Sequence, residues 1–232
     1  MKNPIAKMFD GIAHRYDFLN HAMSLFQDVR WRRECSKDLL KLKGDGVKAL
    51  DLCGGTGDFL LTYGKIAKIS RNSALGDFSF EMIRFAKKKG LKNVFQLDAL
   101  NLPFRDESYD VLLNGFGMRN VSDTARGLSE AYRVLAPGGC FMTLEFFGPA
   151  NAFGKFFYGK LAPLFIPVMG AFFSGHREAY EYLVKSIRHF LPVKSYAELA
   201  KRQGFEVKKI RMFDFGIAYG VLLQKPQRKA AK

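Results

Sequence analysis

At 232 residues, 48% hydrophobic and 25% charged, the chain has the composition of a folded globular protein. It is long enough to bury a core without disulfides or structural metals, which excludes wholesale disorder. A count of 37 Lys and Arg against 22 Asp and Glu leaves +15, a balance that favours an anionic partner: lipid headgroups, nucleic acid or a polyanionic metabolite.

Residues 1–43 read as helical. The opening Met1-Lys2-Asn3-Pro4 lacks the apolar core and cleavage site of an export signal, and a cytoplasmic protein is expected. From Val47 onward short apolar runs alternate with longer amphipathic stretches, which is the pattern of βα units in a mainly parallel sheet. Strands are expected over 47–52, up to Asp77, and over 93–97, 109–114 and 140–145, the last following the Pro137-Gly138-Gly139 turn. Helices are expected over 58–68, 79–88 and 123–135, with Ser79 as an N-cap and Met82 and Ile83 facing inward. Residues 147–192, rich in aromatics and glycine before a helical segment at 178–190, break the alternation. With residues 1–43 they are assigned to a substrate cap, because ligands of such sheets sit beyond the carboxyl ends of the strands. A helix over 196–203 stopped by Gly204, strands over 205–212 and 217–224, and a disordered basic tail over 225–232 complete a single domain whose cofactor-binding core is 44–146. Cys35, Cys53 and Cys140 form no CxxC pair, so a disulfide framework or zinc site is not expected.

The segment Ala49-Leu50-Asp51-Leu52-Cys53-Gly54-Gly55-Thr56-Gly57-Asp58 sets an acidic residue late in a buried strand, then a glycine turn that lets backbone approach a ligand, then a helix start. Asp77 falls at the second strand end, where a carboxylate can accept both hydroxyls of a ribose. Asp98-Ala99 follows the third strand, in position to meet an adenine edge. The spacing departs from GxGxxG, since Leu60 follows Gly55 and Gly57, and no GK dipeptide is followed by Ser or Thr, so neither a dinucleotide nor a P-loop motif is present.

Further stretches give the chain a family resemblance. They include Phe9-Asp10-Gly11-Ile12-Ala13-His14-Arg15-Tyr16-Asp17 with Asn20 and Trp31-Arg32, Leu102-Pro103-Phe104, and Phe116-Gly117-Met118-Arg119-Asn120-Val121-Ser122-Asp123. Tyr132 to Gly139, Leu144-Glu145-Phe146, Tyr182-Leu183 and Ser186-Ile187 continue it. Over nearly its whole length the sequence resembles the class I methyltransferases, and within them the demethylmenaquinone and ubiquinone C-methyltransferases. The resemblance implies an α/β, Rossmann-like, mostly parallel seven-stranded sheet with helices on both faces and a helical, aromatic cap. It implies S-adenosylmethionine as methyl donor, held by Asp51, Gly54, Thr56, Gly57, Asp77, Asp98, Ala99 and Gly115, and no metal. Gly115 stands where relatives often carry serine, and Tyr219-Gly220-Val221-Leu222 replaces a histidine-glycine-tyrosine-lysine-like ending of the last strand.

The acceptor implied is a reduced prenylated quinol, methylated at a ring carbon: demethylmenaquinol by preference, a methoxy-polyprenyl benzoquinol as the alternative. Arg119, Asn120 and Tyr16 are the expected catalytic residues, binding the quinol oxygen directly or through water, with Arg119 favouring the phenolate. An ion pair of Arg119 with Asp123 is the competing structural role. Glu145 reads either as a base or as an arginine partner. His14, Asp17 and His21 share helical spacing but are not taken as metal ligands. The apolar stretch of residues 152–175, interrupted by Lys155, Lys160, Pro163 and Pro167, is too short for a membrane span. It reads either as a buried helix pair or as a channel or membrane-facing surface for a prenyl tail at the inner face of an anionic membrane. A nucleic-acid substrate is not expected, for want of an RNA-binding module, and the oligomeric state is left open, a homodimer included.

Overall fold

The computed structural model describes residues 8–11, 13, 14, 17, 20, 21, 24–164, 168 and 177–228. Its centre is a seven-stranded sheet built from β1 (Ala49–Leu52), β2 (Ala74–Asp77), β3 (Val94–Gln96), β4 (Tyr109–Gly115), β5 (Leu135–Glu145), β6 (Glu206–Phe213) and β7 (Ala218–Gln224). The spatial order is β3-β2-β1-β4-β5-β7-β6, and only β7 runs antiparallel to its neighbours. The described helices are α1 (Gln27–Lys43), α2 (Asp58–Ile66), α3 (Phe80–Lys88), α4 (Thr124–Val134), α5 (Ala152–Phe156), α6 (Arg177–His189) and α7 (Val193–Arg202).

Because both sheet faces are covered, the central strands are apolar on both sides. Leu50, Leu52 and Leu112 enter the cluster containing Leu128 and Tyr196, whereas Ala49, Val111 and Leu113 enter the one containing Trp31, Leu39 and Tyr63. On α1 the residues Trp31, Cys35 and Leu39 recur at i+4, forming the stripe that packs on the second face. Strand order reverses between β1 and β4, and there the carboxyl ends of the strands diverge to leave a crevice.

Several boundaries differ from the sequence reading. Strand β5 begins at Leu135, opposite Tyr109. Its register then shifts so that Val111 faces Cys140, and the Pro137-Gly138-Gly139 turn is an irregularity within the strand. Val47 is an isolated bridge to Ile69 outside β1. Helix α7 starts at Val193, three residues early, after Pro192 whose fixed φ suits a helix start. The described part of the tail, residues 225–228, is held in place and departs from the expected disorder: Lys225 Nζ donates to the carbonyls of Tyr132 (3.0 Å) and Leu135 (2.8 Å), and Arg228 pairs with Glu107. Of the 152–175 stretch, Tyr158 and Ala162 are buried while Phe153, Phe156, Leu164 and Val168 are exposed, so the described part is neither wholly core nor wholly surface. Phe165, Ile166, Met169, Phe172 and Phe173 lie outside the described residues. No described helix is long and apolar enough to cross a membrane.

Candidate active site

A cleft opens at the carboxyl ends of β1, β2, β3 and β4. Asp51, Cys53, Gly54, Gly55 and Thr56 line it from the first strand end, Asp77 from the second, Asp98 and Ala99 from the third, and Gly115 and Asn120 from the fourth. Four strand ends can meet in one crevice because parallel strands all terminate at the same edge.

The glycine loop is shaped by close packing. A Cβ on Gly54 would lie 2.8 Å from the Asp51 carboxyl carbon, and one on Gly57 (φ 91°) would lie 2.3 Å from Leu91. Gly57 therefore starts α2 and shapes the loop from outside the lining. Cys53 (φ 54°) and Phe116 (φ 60°) take left-handed conformations at the ends of β1 and β4, an unfavourable state for residues with side chains. Asn114 holds these ends together: its amide donates to Leu52 O at 2.6 Å, and its Oδ1 accepts from the N–H of Met118 at 3.1 Å.

The acidic residues differ in environment. Asp51 is fully buried; Oδ2 accepts Leu60 N–H at 3.0 Å and Oδ1 has no partner. Burial pushes its carboxyl up to about 7. Asp77 accepts the N–H groups of Gly55 and Ser79, both at 2.8 Å, yet desolvation still raises it. Asp98 is exposed and accepts Leu100 N–H at 2.9 Å. Thr56 is buried beneath a polar cluster in which its hydroxyl donates to Asp17 while Lys89 reaches Thr56, Asp17 and Asp58.

Among the residues expected to be catalytic, Asn120 lines the cleft, on a 3-10 turn Met118–Asn120 that follows β4. Arg119 does not. Its guanidinium bonds Glu145 at 2.7 Å and Phe116 O, with Nε buried and unpartnered, so the competing pair with Asp123 is not formed. Asp123 instead caps α4 by accepting from Arg126 N at 2.9 Å. Desolvation raises the wholly buried Glu145 and the Arg119 charge opposes it. Tyr16 lies outside the described residues. Sequence reasoning gave no role to Tyr182 of α6, whose hydroxyl donates to Asn120 Oδ1 at 3.0 Å, nor to Arg32 of α1, which lines the cleft almost fully buried. His21 bonds Asp28 and approaches Asp58, and no group of three or more His, Cys, Asp or Glu side chains suited to a metal occurs among the described residues.

A buried carboxyl with one oxygen lacking a partner, a glycine loop packed too closely for side chains at Gly54 and Gly57, and a second carboxylate at the adjacent strand end make a donor set suited to an amino-acid–nucleoside conjugate. Strand order and antiparallel β7 are those of the class I S-adenosylmethionine-dependent methyltransferase fold. Solved structures agree: a methyltransferase of Thermotoga maritima superposes with a TM-score of 0.65 at 20% identity, covering 94% of this chain and 99% of that one. A [4+2]-cyclase shares the fold at a TM-score of 0.62 and 16% identity, covering 84% and 81%, so architecture alone does not fix the reaction. The model of the ubiE/COQ5 methyltransferase family matches residues 1–222, and the chain belongs to that family. A Rickettsia felis protein named ubiquinone/menaquinone biosynthesis C-methyltransferase is 36% identical, over 92% of this chain and 89% of its own length. A Staphylococcus aureus demethylmenaquinone methyltransferase is 34% identical, over 94% and 91%.

Proposed function

We propose that the chain methylates a ring carbon of a reduced prenylated quinone precursor, with demethylmenaquinol as the preferred acceptor. Family membership supports the reaction class, and menaquinone chemistry appears in the names of both relatives above. The Rickettsia relative's name also covers ubiquinone, which favours a benzoquinol as the second reading.

Asn120 is the observation that carries the reading. It faces the cleft with Oδ1 taken by Tyr182, while its Nδ2 makes only a long 3.4 Å contact to Phe116 O. The amide N–H groups are thus left to donate to a quinol oxygen. Methylation at carbon requires negative charge on the ring position ortho to that oxygen, and a fixed donor lowers the cost of the phenolate. Arg119, held behind the cleft by Glu145, adds a nearby positive charge. A guanidinium offers no acceptor, so the phenolic proton passes to water. As the carbon–methyl bond forms, the donor's sulfonium–methyl bond breaks to leave a thioether. Loss of the ring proton from the methylated carbon, again to water, with reprotonation of the oxygen restores the quinol. Tyr16 remains the proposed contribution of the amino-terminal cap.

S-adenosylmethionine, when bound, supplies an electrophilic methyl group. Asp77 is proposed to receive the ribose hydroxyls, Asp98 and Ala99 the adenine, and Asp51, Gly54, Thr56, Gly57 and Gly115 to shape the remainder. The exposed Phe153 and Phe156 flank the exposed Lys155, which with Lys160 supports a surface for an anionic bilayer, the source of a prenylated acceptor.

The test is transfer of label from methyl-labelled donor into demethylnaphthoquinol under anaerobic, reducing conditions. The wild type is expected to label it, and Asn120→Ala to lower kcat by about 100-fold, as for loss of one oxyanion donor. Unchanged turnover in the variant removes Asn120 from the mechanism.

A further inference from the structure

A carboxamide has two chemically different ends, and the groups around it decide which one a ligand meets. For Asn120 the neighbour on the Nδ2 side is Phe116 O, at 3.4 Å. A carbonyl oxygen only accepts, so it suits the nitrogen end, but this one already takes a bond from Arg119 Nη1 and is a weak tether for a second donor. The firm contact is on the other side, where the Tyr182 hydroxyl donates to Oδ1 at 3.0 Å. A hydroxyl enforces that polarity only while it keeps its proton. Desolvation raises the Tyr182 hydroxyl, the Arg119 charge opposes the shift and Glu145 adds to it. At neutral pH the phenol is therefore a donor, unsuited to taking a proton from an acceptor substrate.

A side chain can orient another only if it is itself held. Tyr182 belongs to α6, which is packed on two sides. Tyr180 lies in a cluster with Met8 and Phe9, and Val184 and Ile187 are buried in another with Tyr158. Tyr182 is not part of the cleft lining, whereas Asn120 is, so its hydroxyl reaches the chemistry through the carboxamide.

We infer that Tyr182 is a positioning residue: by donating to Oδ1 it fixes the Asn120 carboxamide with its N–H groups facing the acceptor oxygen. Without the hydroxyl the side chain is free to turn and to offer its own carbonyl oxygen, which repels a phenolate. Helix α6 thereby controls a donor carried by the turn after β4. The inference rests on the reading of Asn120 as the group that meets the acceptor oxygen.

Tyr182→Phe deletes the hydroxyl and keeps the ring. In anaerobic turnover of demethylnaphthoquinol its kcat is expected to fall about tenfold, the scale of one hydrogen bond, with the KM for the methyl donor unchanged. In an Asn120→Ala background the same substitution is expected to cost nothing further, because no amide is left to orient. Losses that multiply in the double variant, or an unchanged kcat in the single one, overturn the proposal. Orientation is also read without any acceptor. The side-chain amide proton signals of Asn120, assigned by their loss in Asn120→Ala, are expected to shift and to exchange faster with water in Tyr182→Phe. Calorimetric binding of S-adenosylhomocysteine, expected to match the wild type, reports that the variant is folded. Amide signals that stay as in the wild type overturn the proposal. Signals that change as expected, in a protein whose wild type methylates no quinol, support the orienting contact and remove the quinol reading alone.

Discussion

Asp51 carries an electrostatic cost of burial in the cleft. Burial raises its carboxyl to about 7; Leu60 N–H and Arg32 oppose the shift, while Asp77 and Asp58 add to it. The folded pKa lies above the unfolded value near 3.8, so between about pH 4 and 7 the folded protein holds the extra proton. Stability therefore falls as pH rises through that window, by up to about 1.4 kcal/mol per pH unit from this group, and levels off above it. Asp51→Asn removes that component, leaving those of Asp77 and Glu145. In denaturant titrations the variant is expected to gain about 2 kcal/mol on the wild type between pH 5 and pH 8. Parallel pH profiles would show that Asp51 does not titrate in that range. Asp51, Asp77 and Asp98 were legible as site candidates because each follows an apolar run with strand character. Arg32 and Tyr182 were not, since each is one polar residue on an amphipathic helix, and nothing local marks which of those turns toward a cleft formed elsewhere in the chain. Glu145 was legible only as either a base or a partner for an arginine, and its pairing with Arg119 depends on β4 and β5 ending side by side.

At the scale of elements, the described part of the amino-terminal segment is tied down at two points, the start of α3 and the glycine loop. Asp10 accepts from the Ser79 hydroxyl at 2.6 Å and from Glu81 N at 3.2 Å, adding a carboxylate to the start of α3. Asp17 meets Lys89 at 2.5 Å and Thr56 beside α2. Lys89→Met is expected to loosen the second tie by about 1 kcal/mol, the scale of a partly exposed pair. Hydrogen exchange checks it: faster exchange is expected in the segment around Asp17, with the sheet core unchanged, whereas equal rates throughout would mean that Lys89 does not hold the segment. The cap was legible only as a helical region out of step with the βα alternation. Its attachment points depend on contacts between residues far apart in sequence, as with Asp10 and Ser79, which no local pattern reports. The sheet was more readily read, because a strand buried on both faces leaves a continuous apolar run, and each helix between strands supplies its own cap, as Ser79 and Asp123 do. The start of β5 escaped because Pro137-Gly138-Gly139 has turn chemistry even though the strand resumes beyond it.

For the whole molecule, the +15 charge and the exposed Phe153, Phe156, Leu164 and Val168 belong together in the proposed account. Lys155→Glu with Lys160→Glu is expected to weaken binding to phosphatidylglycerol vesicles, read by sedimentation, by about 30-fold or more at low salt, each cation near such a surface contributing about 1 kcal/mol. Equal sedimentation of variant and wild type would place membrane contact elsewhere. The order of the sheet sets the cleft, the cleft presents Asn120 beside the glycine loop, and Tyr182 of α6 donates to the Asn120 amide oxygen. The most direct test of quinol methylation offers demethylnaphthoquinol and a demethyl benzoquinol together, with labelled methyl donor, and identifies the product by mass and by the position of the new methyl group. Quinol methylation predicts a carbon-bound methyl group, chiefly on the naphthoquinol. Absence of label from both quinols, while the donor still binds, would contradict it.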